Sequence, residues 1–155
     1  MRVRICAVGR MRAGPEADLI DDYLARFDRT GRPLGLGPSD VVEADERKAR
    51  TVAAQADVLR ALIPDRSICV AMDERGKVLS SRQFARKLES WRDTGQDVAF
   101  LIGGADGIDP SLRREADFSL SFGSMVWPHM LARVMLAEQL YRSATIMAGA
   151  PYHRE

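Results

Sequence analysis

The residues best suited to chemistry gather in the last third of the chain, from Val98 to Glu155. Arg133, Arg142 and Arg154 stand there with Tyr141 and Tyr152, the planar cations and stacking rings that a phosphate-and-base ligand engages. Glu138 and Arg142 are spaced i, i+4, so the same arginine also reads as half of a stabilising surface pair. The only histidines, His129 and His153, have 23 residues between them and no cysteine or carboxylate at ligand spacing, which argues against a metal site. His129 reads as a hydrogen-bonding residue at a helix start, and His153 sits in a polar tail that is either a working group or a frayed end.

A second group of residues is glycine-centred. The run Gly103-Gly104-Ala105-Asp106-Gly107 is neither a dinucleotide fingerprint nor a P-loop, since it lacks the spacing of the first and the lysine and hydroxyl of the second. It reads either as a tight turn needing positive φ or as a place where a flat ligand approaches the backbone. Gly123 to Trp127 and the polar Asp73 to Lys77 are the two other loops of this kind. No Ser-His-Asp arrangement and no lipase-type G-x-S-x-G is present.

These loops need a scaffold, and the hydrophobic periodicity supplies one. Arg2 to Val8, Ser67 to Met72, Asp97 to Ile102 and Phe118 to Phe122 read as strands, with Asp40 to Glu43 as a short fifth. Helices are expected from Pro15 with Ile20, Tyr23, Leu24 and Phe27 inward, from an Asp45 cap to Ile63, from a Ser80/Gln83 capping box to Gly95, and over Ser111 to Ala116. The charges Glu46, Arg47, Lys48 and Arg50 read as a solvated face. Thr30 to Pro38 reads as a surface connection. A last helix opens at Pro128, with Leu131, Val134, Met135 and Leu140 expected on its core face.

Alternating strands and helices predict an α/β domain with a mainly parallel sheet. Ligands bind beyond the carboxyl ends of the strands in such sheets, so the loops after three successive strands are expected to converge on one pocket. With 155 residues the chain is the size of one domain, 1–155, and large enough to bury a core. Its net charge of +1 gives no global field for coating nucleic acid, so any RNA contact is expected to be local. Cys6 and Cys69 fall inside strands and read as small buried hydrophobes. No signal-peptide core or long apolar span is seen, so a cytoplasmic protein with no membrane partner is expected.

LIGGADG at 101–107, SLSFGSMVWPH at 119–129, LARVMLAEQLYRSATI and the terminal PYHRE together resemble the RlmH family of SPOUT-class RNA methyltransferases. The N-terminal VGR and MDERGK at 72–77 extend the resemblance over the whole length. It implies an α/β fold with a C-terminal trefoil knot, a homodimer, and an S-adenosylmethionine cofactor bound in the knot. It further implies methylation of N3 of a pseudouridine in large-subunit (23S) ribosomal RNA on the assembled ribosome.

Carried over by position, the resemblance places cofactor contacts on Met72, Gly103, Gly104, Gly123, Ser124, Met125, Val126, Trp127 and Pro128. It gives catalytic candidates in His153, Tyr152, Arg154 and Arg142, with the tail of one subunit near the cofactor of the other. Met72 stands where leucine is usual and keeps an apolar wall. Val126 stands where threonine is common and removes a hydroxyl. Two rival readings are a ribosome-associated binding module without cofactor affinity and a small-molecule enzyme that binds another nucleotide.

Overall fold

A computed structural model describes residues 1–154; Glu155, the end of the expected tail, lies outside the described residues. Five strands, β1 (Val3–Val8), β2 (Ser39–Ala44), β3 (Ile68–Val78), β4 (Val98–Ile102) and β5 (Phe118–Ser121), form one sheet in the order β2-β1-β4-β3-β5. Every pairing is parallel. The helices are α1 (Pro15–Gly31), α2 (Val52–Leu62), α3 (Ser81–Asp93), α4 (Pro110–Glu115) and α5 (His129–Met147).

The sheet is covered on both faces, and the strand sequences say which residue goes where. Val3, Ile5 and Ala7 of β1 join Ile68, Val70, Val98, Phe100 and Leu120 against α1, α3 and α5. Their neighbours Cys6 and Val8 point the other way and join Cys69, Ala71, Ala99 and Leu101 against α2 and α4. A period of two with both sets apolar is what a doubly covered parallel strand requires. The expected burial of both cysteines is observed. Burial raises the Cys6 thiol to about 12 and the Cys69 thiol to about 11, far from the thiolate.

Four local expectations are corrected. Asp73 to Lys77 does not end its strand: Leu120 pairs with both Met72 and Lys77, so the intervening residues bulge out while β3 continues to Val78. Asp45 caps only a short 3₁₀ turn over Glu46–Lys48, and the Thr51 hydroxyl, accepting from the Ala54 amide, starts α2. The connection after α1 is not merely superficial, because Leu36 inside it is buried.

The fourth correction concerns α5. Its buried stripe is Arg133, Leu136, Ala137, Leu140 and Ala144, whereas Leu131 is 41% exposed and Val134 and Met135 are only half-buried. An apolar-only reading passes over Arg133, which nevertheless is 1% exposed. Its guanidinium donates to Glu43 at 2.7 Å and to the carbonyls of Val8 and Gly9 at 2.6 and 2.7 Å. The charge is tolerated inside because a carboxylate and two strand-end carbonyls meet it. Arg133 thereby ties α5 to the ends of β1 and β2 and is not available as a ligand cation.

Candidate functional site

Parallel strands deliver all their following loops to one edge, and three of them meet there as expected. A cavity of about 370 Å³ is lined by Met72 to Arg75, by Ile102 to Ile108, by Gly123 and Met125 to Trp127, and by His129. Of the nine expected cofactor residues, Met72, Gly103, Gly104, Gly123, Met125, Val126 and Trp127 line it; Ser124 and Pro128 lie in the same loop without lining it. Leu120, Phe122 and Ala132 supply walls that the sequence reading missed. The alternation of Phe118 to Phe122 carried that signal, since Leu120 and Phe122 share a face.

The glycine loop owes its shape to the absence of side chains. A Cβ on Gly103 would sit 2.2 Å from the Gly107 carbonyl oxygen, and Gly107, at φ +79°, donates its amide to Gly104 O at 3.0 Å. The tight turn of the first reading is made, and it brings bare backbone to the cavity. Gly76 plays a related part in the β3 bulge, where an added Cβ would lie 2.7 Å from backbone carbons of Ser119 and Leu120.

The cavity has a polar and an apolar side. Asp73 accepts from Arg113 on α4 at 3.3 Å, which holds the bulge and a carboxylate at the wall. Burial, then the charge of Arg133, lowers the His129 pKa below its ordinary value, so this lining imidazole is neutral at pH 7. Ile102, Leu120, Met125 and Trp127 give the apolar surface. Convergent polar groups facing an apolar wall in a partly open cavity of this size suit an organic cofactor. Among the described residues no group of His, Cys, Asp and Glu has metal-holding geometry.

The catalytic candidates of the tail do not line this cavity in the single chain. Arg142 bonds to Glu138, the i, i+4 pair read from the sequence, and its guanidinium carbon lies 4.8 Å from the centre of the Tyr152 ring. Tyr152 donates its hydroxyl to the same Glu138 at 3.0 Å and packs its ring on Tyr141 at 4.6 Å. Burial first, then this hydrogen bond, raises the Tyr152 pKa, so it stays protonated at neutral pH. Arg154 is exposed and makes no side-chain hydrogen bond or ion pair among the described residues.

His153 Nδ1 lies 3.3 Å from an Arg142 nitrogen. A guanidinium only donates, so Nδ1 accepts and, in the neutral ring, Nε2 carries the proton. The tail is thus a hydrogen-bonded unit that presents donors. Glu138 also lines a second cavity of about 370 Å³ between α1, α3 and α5, and Leu120 and Phe122 are common to both cavities. The second is mainly apolar and lacks the glycine loop. The first is therefore the candidate site.

Residues 1–153 match the sequence profile of a family described as "Predicted SPOUT methyltransferase". The chain is 66% identical over 155 residues to the ribosomal RNA large subunit methyltransferase H of Ruegeria sp. (strain TM1040), with 99% of each covered. It is 65% identical to the protein of the same description from Dinoroseobacter shibae, again with 99% of each covered. A solved structure described as a probable methylase family protein from Haemophilus influenzae Rd KW20 superposes with a TM-score of 0.56 at 12% identity. It matches 99% of this chain and 70% of that one, a likeness of fold.

Proposed function

This chain belongs to the SPOUT methyltransferase family, and from that premise we propose that it transfers a methyl group from S-adenosylmethionine to large-subunit ribosomal RNA. The finer reading is a homodimer of single SPOUT-like domains, 1–155, that methylates N3 of a pseudouridine in 23S RNA on the assembled ribosome, in the cytoplasm. The observation that carries it is the convergence of the β3 bulge, the Gly103–Gly107 turn and the Gly123–Trp127 loop on one cavity.

The residues present fit the cofactor. Bare backbone at Gly103 and Gly104 offers amide and carbonyl groups, Ile102, Leu120 and Trp127 offer surface for a purine, and Asp73 offers a carboxylate on the wall. Bound there, S-adenosylmethionine supplies an activated methyl on a sulfonium, so the protein's task is alignment and exclusion of water. Neutral His129 keeps a cation away from that sulfonium. Ser124 and Pro128 act by shaping the loop.

The acceptor nitrogen must lose its proton before or during attack. Tyr152 is held protonated, Arg142 is held charged by Glu138, and His153 has its Nδ1 lone pair engaged. The tail therefore serves best as a polarising group, with His153 Nε2–H and Arg142 or Arg154 meeting the carbonyl oxygens of the base as negative charge develops.

Homodimerisation is supported by unusually exposed apolar residues around the cavity: Met125 at 69%, Val126 at 80% and Leu131 at 41%. It also explains why the tail does not line its own cavity, since a partner's tail can. The C-terminal knot belongs to the same reading.

The test is complementation between two impaired variants, at a cofactor concentration too low to saturate Gly103→Ala. His153→Ala keeps the cavity, and Gly103→Ala keeps the tail; co-expressed, they restore methyl transfer to ribosomes if one subunit's tail serves the other's cofactor. Restoration fails if each subunit uses its own tail, and S-adenosylmethionine binding to wild type would be absent if the chain is only a binding module.

A further inference from the structure

We propose that the loops following β1 and β2 form a surface that grips RNA phosphates, built from Arg10, Arg12, Lys48 and Arg50. The inference rests on the rRNA methyltransferase reading and adds the part of the molecule that holds the substrate chain. Nothing in the cofactor cavity or the tail uses these residues.

The topology puts the two loops side by side. β1 and β2 are parallel and in register, Val8 opposite Ala44, and the Gly9 amide donates to Ala44 O at 2.8 Å where the chains leave the sheet. The Asp45 carboxyl is held at about 2, first by its hydrogen bonds from Arg47 and in smaller part by the charge of Arg10, which places the first loop against the second. Glu46, in turn, is near enough to act on His129, a residue of the cavity wall. The loops and the cavity therefore share one edge of the molecule.

Charge separates this edge from the rest of the protein. Arg10, Arg12, Arg47, Lys48 and Arg50 against Asp45 and Glu46 leave the two loops at net +3, whereas the whole chain is +1, so everything else is net acidic. Arg47 is occupied by Asp45 at 3.0 Å. Arg10, Arg12, Lys48 and Arg50 are exposed, and among the described residues none of the four makes a side-chain hydrogen bond or an ion pair. Four unspent cations on one edge are costly by mutual repulsion unless an anion is to be met there.

Spacing fits an RNA strand. β1 is the neighbour of β4, and β2 lies beyond it, so the two loops stand roughly 5 and 10 Å from the glycine turn. At about 3.4 Å per nucleotide along a stacked strand, that reach covers some three phosphates beside the reacting base. An acidic protein could also meet cations, but the adjacent cavity must receive a base whose own chain continues past it. The charge run that the sequence offers as a plain solvated face thus has a partner.

The experiment compares wild type, a variant with Arg10, Arg12, Lys48 and Arg50 all changed to alanine, and a control with Arg2, Arg29 and Arg32 changed to alanine at the opposite edge. Methyl transfer to assembled ribosomes is followed across salt concentrations, S-adenosylmethionine affinity is measured separately, and a photo-crosslinker at position 12 reports the polymer touched. At about 0.15 M salt the loop variant should raise the KM for ribosomes on the order of tenfold or more. Its salt slope should fall by about 3, at 0.7–0.9 per phosphate contact. Cofactor affinity and kcat at saturation should stay within about twofold, with the control like wild type and the crosslink in RNA.

An unchanged KM and slope, an equal loss in the control, or a crosslink to ribosomal protein would overturn the proposal. If wild type transfers no methyl group at all, the functional reading fails instead. The crosslink then still decides whether this edge meets RNA.

Discussion

Replacing Gly103 with alanine adds one methyl group at the point where the cavity wall turns back on itself. The new Cβ would lie 2.2 Å from the Gly107 oxygen and 2.4 Å from its carbon, both backbone atoms. Reaching an ordinary carbon–oxygen separation requires the two arms of the turn to part by about 1 Å. Overpacking of this sort costs about 1–3 kcal/mol, and if recovering the binding geometry costs about 2 kcal/mol, affinity for S-adenosylmethionine falls roughly 30-fold. Two neighbouring alanines calibrate the argument. At Gly104 the closest atoms are the flexible Gln55 side chain at 3.1 Å and Val8 Cγ1 at 3.3 Å, so the loss should stay below about threefold. At Gly107 there is open space but φ is +79°, so about 1 kcal/mol of backbone strain, roughly fivefold, is expected. Calorimetric titration of each variant with S-adenosylmethionine, alongside thermal melts, gives the order 103, then 107, then 104. Wild-type affinity in Gly103→Ala, or equal losses at 103 and 104, would refute the reasoning.

Three further outcomes are expected. His153→Ala should lower turnover at least 100-fold or so with cofactor affinity within about twofold, while His153→Gln, which keeps a donor near Nε2, should retain about a tenth of wild-type turnover or more; a glutamine variant as inactive as alanine would make His153 the base. Arg133→Met should destabilise the fold by about 3–5 kcal/mol by stranding Glu43 and two carbonyls, lowering Tm on the order of 10 °C in a melt, and adding Glu43→Gln should recover part of it. Because the folded Cys6 thiol titrates at about 12 against 9.0 when free, the unfolded chain loses protons first, so its contribution to stability is intact below pH 9 and declines from there toward 12; denaturant titrations at two alkaline pH values, with and without Cys6→Ala, measure this, and native protein at pH 8 should resist thiol alkylation.

The scaffold was legible because parallel strands write both faces into consecutive residues: Val3, Ile5 and Ala7 for one layer, Cys6 and Val8 for the other. Loop convergence followed from parallel topology, since strands running the same way must deliver Met72, Gly103 and Gly123 to one edge. Arg133 was misjudged because its compensation is non-local. Glu43 and the carbonyls of Val8 and Gly9 lie 90 or more positions away in sequence, and no periodicity can reveal a charge neutralised from that distance. The β3 bulge was hidden for a similar reason, because Asp73 to Lys77 has turn composition and its continuation depends on Leu120 pairing twice. In the tail, residue types alone could not distinguish a histidine that takes a proton from one whose lone pair is already engaged by Arg142.

The most direct test of the account is transfer of labelled methyl from S-adenosylmethionine to assembled ribosomes that carry pseudouridine, to the same ribosomes lacking it, and to free ribosomal RNA. The nucleotide that receives the label is then identified by mass spectrometry. The account predicts label only on the pseudouridine-bearing ribosomes and at N3 of that base. Label on another atom, equal label on the unmodified ribosomes, or no label despite measurable cofactor binding would contradict it.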